Sequence, residues 1–331
     1  MKNLKGACMF AQSGGPTSVI NSSAAGVFLE ALKSPEITKV YGAAHGIKGV
    51  LDEQFYDIGL EDKKELELLK YTPSSALGSV RYKLKDVSVD DTDYKRILEV
   101  FKKYDIRYFF YNGGNDSMDT CNKISKFLNG SGWDCNVIGV PKTIDNDLFG
   151  TDHCPGFASA AKYIATTLME INLDAKVYNT GMVCVIEVMG RNAGWLTAAA
   201  SLAGYKGLGA DLIYLPEVAF DVDKFVSDVE GVLAKNDNKC IAVVSEGIKL
   251  ADGRYVGEFT ASKTDLFGHA QLGGVGQMLA NVIKEKTGIK TRAIELSLMQ
   301  RCGAHLASKV DVEEAFGAGA EAVKAAVSGE T

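Results

Sequence analysis

Five apolar runs of strand length, each followed by a longer stretch of helical period, set the narrowest limit on what this chain can become. They fall at residues 6–12 and 16–32, 106–111 and 117–128, 137–140 and 157–173, 183–188 and 193–203, and 240–244 and 277–286. A strand followed by a helix that returns to a parallel neighbour is the unit of an open α/β sheet. Val183, Cys184, Val185 and Ile186 are apolar at successive positions, as expected of a strand covered by helices on both faces. With 331 residues, 46% of them hydrophobic, the chain has enough apolar material for two such sheets.

A net charge of -6 gives no global field that would draw in nucleic acid or an anionic membrane surface. An anionic ligand must therefore be held by a locally cationic pocket. Tyr108, Phe109, Phe110 and Tyr111 read as a strand and not as a stacking platform for bases, since no basic patch interleaves them. The seven cysteines are odd in number and scattered, without a C-x-x-C pair, and read as buried thiols in a reducing cytosol. The start at Met1 to Lys5 is basic like a signal peptide, but the apolar run that follows, 7–11, is too short, and no segment approaches the ~20 apolar residues of a membrane helix. A cytoplasmic chain is expected. His45, His153, His269 and His305 lack zinc-ligand spacing. Residues 59–72 read as a surface helix on an insertion, and Trp195 with the small residues 197–200 as close helix packing.

Ligands of open parallel sheets sit at the carboxyl ends of the strands, and the unusual residues follow the strands here. They form the loops Ser13-Gly14-Gly15-Pro16-Thr17, Gly113-Gly114-Asn115-Asp116-Ser117, Lys142-Thr143-Ile144-Asp145-Asn146-Asp147, Met189-Gly190-Arg191-Asn192 and Ser245-Glu246-Gly247. Each Gly-Gly turn lets backbone N–H groups approach a phosphate, and two in one sheet favour a polyphosphate over a mere tight connection. A lysine beside two carboxylates after a buried strand reads as a base with its positioning groups, because the residues after Asp147 do not read as the start of a helix that they would cap.

Taken together with Gly78-Ser79-Val80-Arg81, these loops resemble the phosphofructokinase family over nearly the whole chain. The resemblance implies two doubly wound, Rossmann-like domains of the phosphofructokinase fold. It gives a phosphate-donor domain of residues 1–156 with 300–331 and a sugar-phosphate domain of 157–299. It implies that Asp145 is the general base for the sugar 1-hydroxyl, with Arg191, Lys142 and Asp116 around the reacting phosphates. Gly14, Gly15, Arg81, Gly114 and Lys142 would bind the donor. Thr143, Ile144, Asp145, Asp147, Met189, Gly190, Arg191, Glu246, Arg292 and Arg301 would bind fructose 6-phosphate, and Asn115 a magnesium ion. A homodimer or homotetramer, acting in glycolysis and gluconeogenesis, is implied as well.

Two positions bear on the donor. ATP-using relatives have glycine where Asp116 and Lys142 stand, so the carboxylate would clash with a nucleotide's α-phosphate and the ammonium would fill the vacated space, as suits pyrophosphate. The alternatives are that Asp116 only caps a helix beginning at Ser117 and that Lys142 is solvated. Three departures from the family pattern limit how far its residue roles carry over. Asn115 replaces the usual magnesium-binding aspartate, Met182 replaces an arginine sent across a subunit boundary, and Leu298 replaces a His or Tyr near Arg301. Similar proteins also continue past Thr331 with another strand and helix. These features motivate a catalytically silent, ligand-binding regulator as one rival reading, and an ATP-dependent kinase is a second within the enzyme class.

Overall fold

In the first sheet, alternate residues of each central strand enter opposite cores. Ala7, Met9 and Ala11 of β1 (Gly6–Gln12) face one, while Cys8 and Phe10 face the other. A strand whose two faces are both buried needs apolar side chains at successive positions, which is what made these runs legible. The structure, a computed structural model, describes residues 4–259 and 274–331; His269 lies outside them. The described chain forms two compact units, one reaching to Ser159 and resuming at Ala307–Thr331, the other spanning Ala160–Leu306.

In the first unit, β1 leads through α1 (Ile20–Ala31), β2 (Ile37–Ala43), α2 (Ile47–Leu51), β3 (Phe55–Asp57), α3 (Lys63–Leu68) and α4 (Thr92–Lys103). Then come β4 (Ile106–Gly113), α5 (Asn115–Gly130) and β5 (Asn136–Pro141), after which α6 (Phe157–Lys176) starts in this unit and from Ala160 onward belongs to the second. The strand order is β3-β2-β1-β4-β5, parallel except for β3 on β2. The chain leaves β1 to one side for β2 and later fills the other side with β4, so a topological switch point opens between β1 and β4.

The second unit contains β6 (Met182–Val188), α7 (Trp195–Ala199), β7 (Leu212–Tyr214), α8 (Val222–Leu233), β8 (Lys239–Ser245), α9 (Val275–Thr287), β9 (Thr291–Glu295) and α10 (Met299–Cys302). Its sheet is parallel with order β7-β8-β6-β9, and its switch point lies at β6, which β8 and β9 flank. Val183 and Val185 pack with Phe225 and Val229 of α8 and with Leu279 and Ile283 of α9.

The last helix, α11 (Lys309–Val327), returns to the first unit and lies on α1. The crossing is close because both helices carry glycine where they meet. A Cβ on Gly26 would overlap the Phe316 carbonyl, and one on Gly319 the Ser23 carbonyl. Gly26→Val is accordingly expected to lower stability by about 1–3 kcal/mol, as overpacking of a close contact does, read as a lower urea midpoint at unchanged slope.

The junctions fall a few residues past the 156/157 and 299/300 estimates. Residues 156–159 stay with the first unit because Asp311 of α11, 2% exposed, accepts from the N–H groups of Gly156 and Ser159, each at 2.9 Å, and from the Ser159 hydroxyl at 2.5 Å. Residues 299–306 stay with the second because Gly303 is pressed on the ring of Tyr163.

Several local expectations change. The helix expected from residue 16 begins at Ile20, since Thr17 turns its hydroxyl back to accept from the N–H of Val19 at 3.2 Å and keeps the preceding residues in a loop. Trp195 is exposed on the first turn of α7, although Thr197 and Ala200 pack fully as small residues should. Cys302 is exposed, whereas the other six thiols are buried. Residues 59–72 do carry the short helix α3, held by buried Leu66. Among the described residues, no helix is long and apolar enough to cross a membrane.

Candidate functional site

The loop after β1 is shaped by Gly14, whose φ of +74° is a backbone state that glycine adopts without strain. Space matters as much as conformation there, since a Cβ on Gly14 would sit 3.3 Å from the Lys142 ammonium. Lys142 follows β5, two strands away. Its side chain reaches across β4 to donate from Nζ to the Gly15 carbonyl at 2.7 Å. It is only 5% exposed, which excludes a solvated surface lysine. Its own N–H donates to the Gly113 carbonyl at 3.0 Å, so the ammonium is held among the carboxyl-end loops of β1, β4 and β5.

Asp116 does not cap α5. The N-cap is Gly114, and Asp116 lies exposed in the first helical turn. A carboxylate there takes the electropositive position that a helix N-terminus would otherwise offer to an anion. The neighbouring Asn115 Nδ2 donates to Asp147 Oδ2 at 3.0 Å.

The Lys142–Asp147 loop is rigid without being helical. Thr143 N–H donates to the Pro155 carbonyl at 3.2 Å, and Thr143 Oγ1 accepts from the N–H of Asp145 at 3.1 Å. Asn146, at φ +56°, accepts from the Cys154 N–H at 2.7 Å and donates to the Asp152 carbonyl at 3.3 Å. These bonds hold half-buried Asp145 at the mouth of the loop. The Ile144 side chain is buried at 8% exposure, so only its backbone remains for ligand contact. Ser79 Oγ donates to the Gly14 carbonyl at 2.6 Å and ties the segment bearing exposed Arg81 to the first loop.

In the second unit, the residues after β6 and β8 are knitted together. Glu246 Oε1 accepts from the Gly190 N–H at 3.2 Å, and Ser245 Oγ donates to the Gly190 carbonyl at 2.7 Å. Met189 N–H donates to Oε1 of Gln300, a residue 1% exposed that the sequence reading passed over. Gln300 in turn donates from Nε2 to the Ser297 carbonyl at 3.0 Å, which places the segment carrying Arg301 beside Met189-Gly190-Arg191. The place of Gln300 next to Arg301 is the one mark the sequence offers, since burial of an amide is not written there.

Arg292 is not gathered with this group. It is the second residue of the edge strand β9, exposed and level with Cys184, near the amino-terminal end of the sheet. Met182 is buried at the start of β6, and Leu298 is 55% exposed. Glu187, 2% exposed, accepts from the Gly276 N–H at 2.8 Å at the start of α9. Burial pushes its carboxyl up from the usual range, against the pull of backbone N–H groups including that of Gly276. A cavity of about 320 Å³ lined by Asn172, Lys176, Asp211 and Lys239 lies at the amino ends of β7 and β8 and contains none of the sequence-derived site residues.

Among the described residues, no three His, Cys, Asp or Glu side chains gather as a metal cluster. Asn115 and Asp147 are exposed oxygen-bearing neighbours, a donor set that fits a magnesium ion shared with substrate phosphates and water.

The chain resembles known proteins along nearly all its length. The family described as Phosphofructokinase matches residues 7–326. A pyrophosphate–fructose 6-phosphate 1-phosphotransferase of Halomonas elongata is 46% identical over 97% of this chain and 77% of its own length. That of Xanthomonas campestris is 46% identical over 98% of this chain and 77% of its own length. The crystal structure of a pyrophosphate-dependent phosphofructokinase from Nitrosospira multiformis, 42% identical, superposes with a TM-score of 0.88, covering 99% of this chain and 78% of that one.

Proposed function

The chain belongs to the phosphofructokinase family, and from that premise we infer that it transfers a phosphoryl group from pyrophosphate to the 1-hydroxyl of fructose 6-phosphate. The observation that carries the donor assignment is the Lys142 ammonium, buried and bonded to Gly15, with the Asp116 carboxylate in the first turn of α5. Pyrophosphate ends where a nucleotide would need to continue.

Asp145 accepts the proton of the 1-hydroxyl as its oxygen attacks the distal phosphorus, the bond from that phosphorus to the bridging oxygen breaks, and phosphate leaves. Phosphoryl transfer asks little covalent chemistry of the protein, so positioning and charge carry the rate. The N–H groups at Gly14, Gly15 and Gly114, with Lys142 and Arg81, hold the donor oxygens. Arg191 balances charge on the transferring group. Thr143, Asp147 and the Ile144 backbone, with Met189, Gly190, Glu246 and Arg301, orient the sugar phosphate, Glu246 accepting from sugar hydroxyls and Arg301 meeting the 6-phosphate. Magnesium, held by Asp147 and the Asn115 amide oxygen together with phosphate oxygens, would neutralise charge on the donor. The first unit thus serves as donor domain and the second as sugar-phosphate domain. Exposed Arg292 suits a role toward a second copy in a homodimer or homotetramer.

Exchange of one phosphoanhydride for a phosphate ester, with phosphate released, leaves the reaction near equilibrium and usable in both directions. Assay of the purified protein with magnesium, fructose 6-phosphate and each donor in turn is expected to give fructose 1,6-bisphosphate with pyrophosphate and none with ATP. Turnover with ATP alone would reject the donor assignment, and binding without turnover would make the chain a silent homologue.

A further inference from the structure

Arg81 lies in a stretch, residues 72–91, that has neither helix nor strand of its own, yet a donor contact requires a fixed position. Beneath that stretch lies a polar pair buried at 0% exposure, Gln12 at the end of β1 and Asn21 in the first turn of α1. These residues flank the Gly14-Gly15 loop on either side. Gln12 Nε2 donates to Asn21 Oδ1 at 3.0 Å, joining the two ends of the loop. Both amides then turn toward the irregular stretch. Gln12 Oε1 accepts from Ser75 Oγ at 2.8 Å and from the Leu77 N–H at 3.0 Å. Asn21 Oδ1 accepts from the Ala76 N–H at 2.8 Å, and its Nδ2 donates to the Thr72 carbonyl at 3.0 Å. The Ser79 hydroxyl, bonded to the Gly14 carbonyl, closes the circuit.

Buried amides are tolerated only when their hydrogen bonds are met, and a fully met network has a single arrangement. Simple closure of a helix start would need neither the reach to Thr72, Ala76 and Leu77 nor the return from Ser79 to Gly14. We propose that Gln12, Asn21 and Ser79 are positioning residues that set the spacing between the Gly14-Gly15 loop and Arg81, and so determine how tightly the phosphate side of the reaction is bound. This rests on the functional reading above, in which both of those groups meet the donor.

Ser79→Ala tests it, because it removes one hydroxyl at the half-buried edge of the network and leaves the core intact. KM for pyrophosphate in the forward direction and for phosphate in the reverse is expected to rise roughly three- to tenfold, the worth of one lost hydrogen bond. KM for fructose 6-phosphate and kcat should stay within about twofold, and Ser79→Thr, which keeps the hydroxyl, should restore wild-type values. Gln12→Met, of similar length without the amide, is the deeper variant, and where it folds, magnesium pyrophosphate should raise its melting temperature less than that of the wild type. Phosphate-side KM values unmoved in Ser79→Ala, an equal rise in the fructose 6-phosphate KM, or no recovery in Ser79→Thr each overturns the proposal. Absence of pyrophosphate turnover in the wild type would instead refute the functional reading and this inference with it.

Discussion

Asp145→Asn is expected to lower kcat by about 10²- to 10⁴-fold while the KM for fructose 6-phosphate changes little, the signature of a lost general base. Asparagine keeps the size of the side chain, and the Thr143 Oγ1 bond to the residue's own N–H does not depend on the carboxylate. The anchors of the loop, at Asn146 and at Thr143, are likewise untouched. Geometry should therefore survive and only the proton acceptor disappear. Steady-state kinetics with both substrates varied check this, and near-normal kcat would remove Asp145 from its role.

Removing Lys142 should produce the next largest change. Lys142→Ala takes away a buried cation from the carboxyl ends of three strands, and kcat/KM for pyrophosphate is expected to fall about 10²- to 10³-fold, as when a preorganised charge-stabilising donor is deleted. A point charge within ~4 Å of a phosphate is worth about 4 kcal/mol at an effective dielectric near 20, before desolvation is subtracted, so an effect of that size is available. Combining Lys142→Gly with Asp116→Gly empties the space and withdraws the repelling carboxylate, and measurable ATP turnover should follow. A pyrophosphate preference unchanged in the double variant would place donor selection on other residues.

The central strands were readable in the sequence because burial on both faces forces consecutive apolar residues, as in β4 and β6. Loops at their carboxyl ends were readable for the opposite reason, since glycines and charges interrupt an apolar pattern. The alternation of apolar runs does not reveal β3 or β7, which are short edge strands, or β2, an inner strand whose first half is not buried. It also misses α11, where alanine and glycine fit against α1 and blur the contrast between faces. Within the site, Asp145, Lys142 and Asp116 stood out by type and position. Gln12, Asn21 and Gln300 did not, because a buried amide and a solvated one are the same letter until their partners are known. Arg292 shows the converse limit, as likeness to a family motif does not reveal which end of a strand carries the residue.

Asp311 has a consequence for how the chain acquires its shape during synthesis. The first unit lacks α11, and with it the carboxylate that Gly156 and Ser159 require, until the ribosome has translated the whole of the second. Contacts between α1 and α11 span almost the full sequence, and closing so wide a separation slows the search for native pairing. The second unit can thus be complete first, while the face of α1 that carries Ser22, Ser23 and Gly26 waits for its partner.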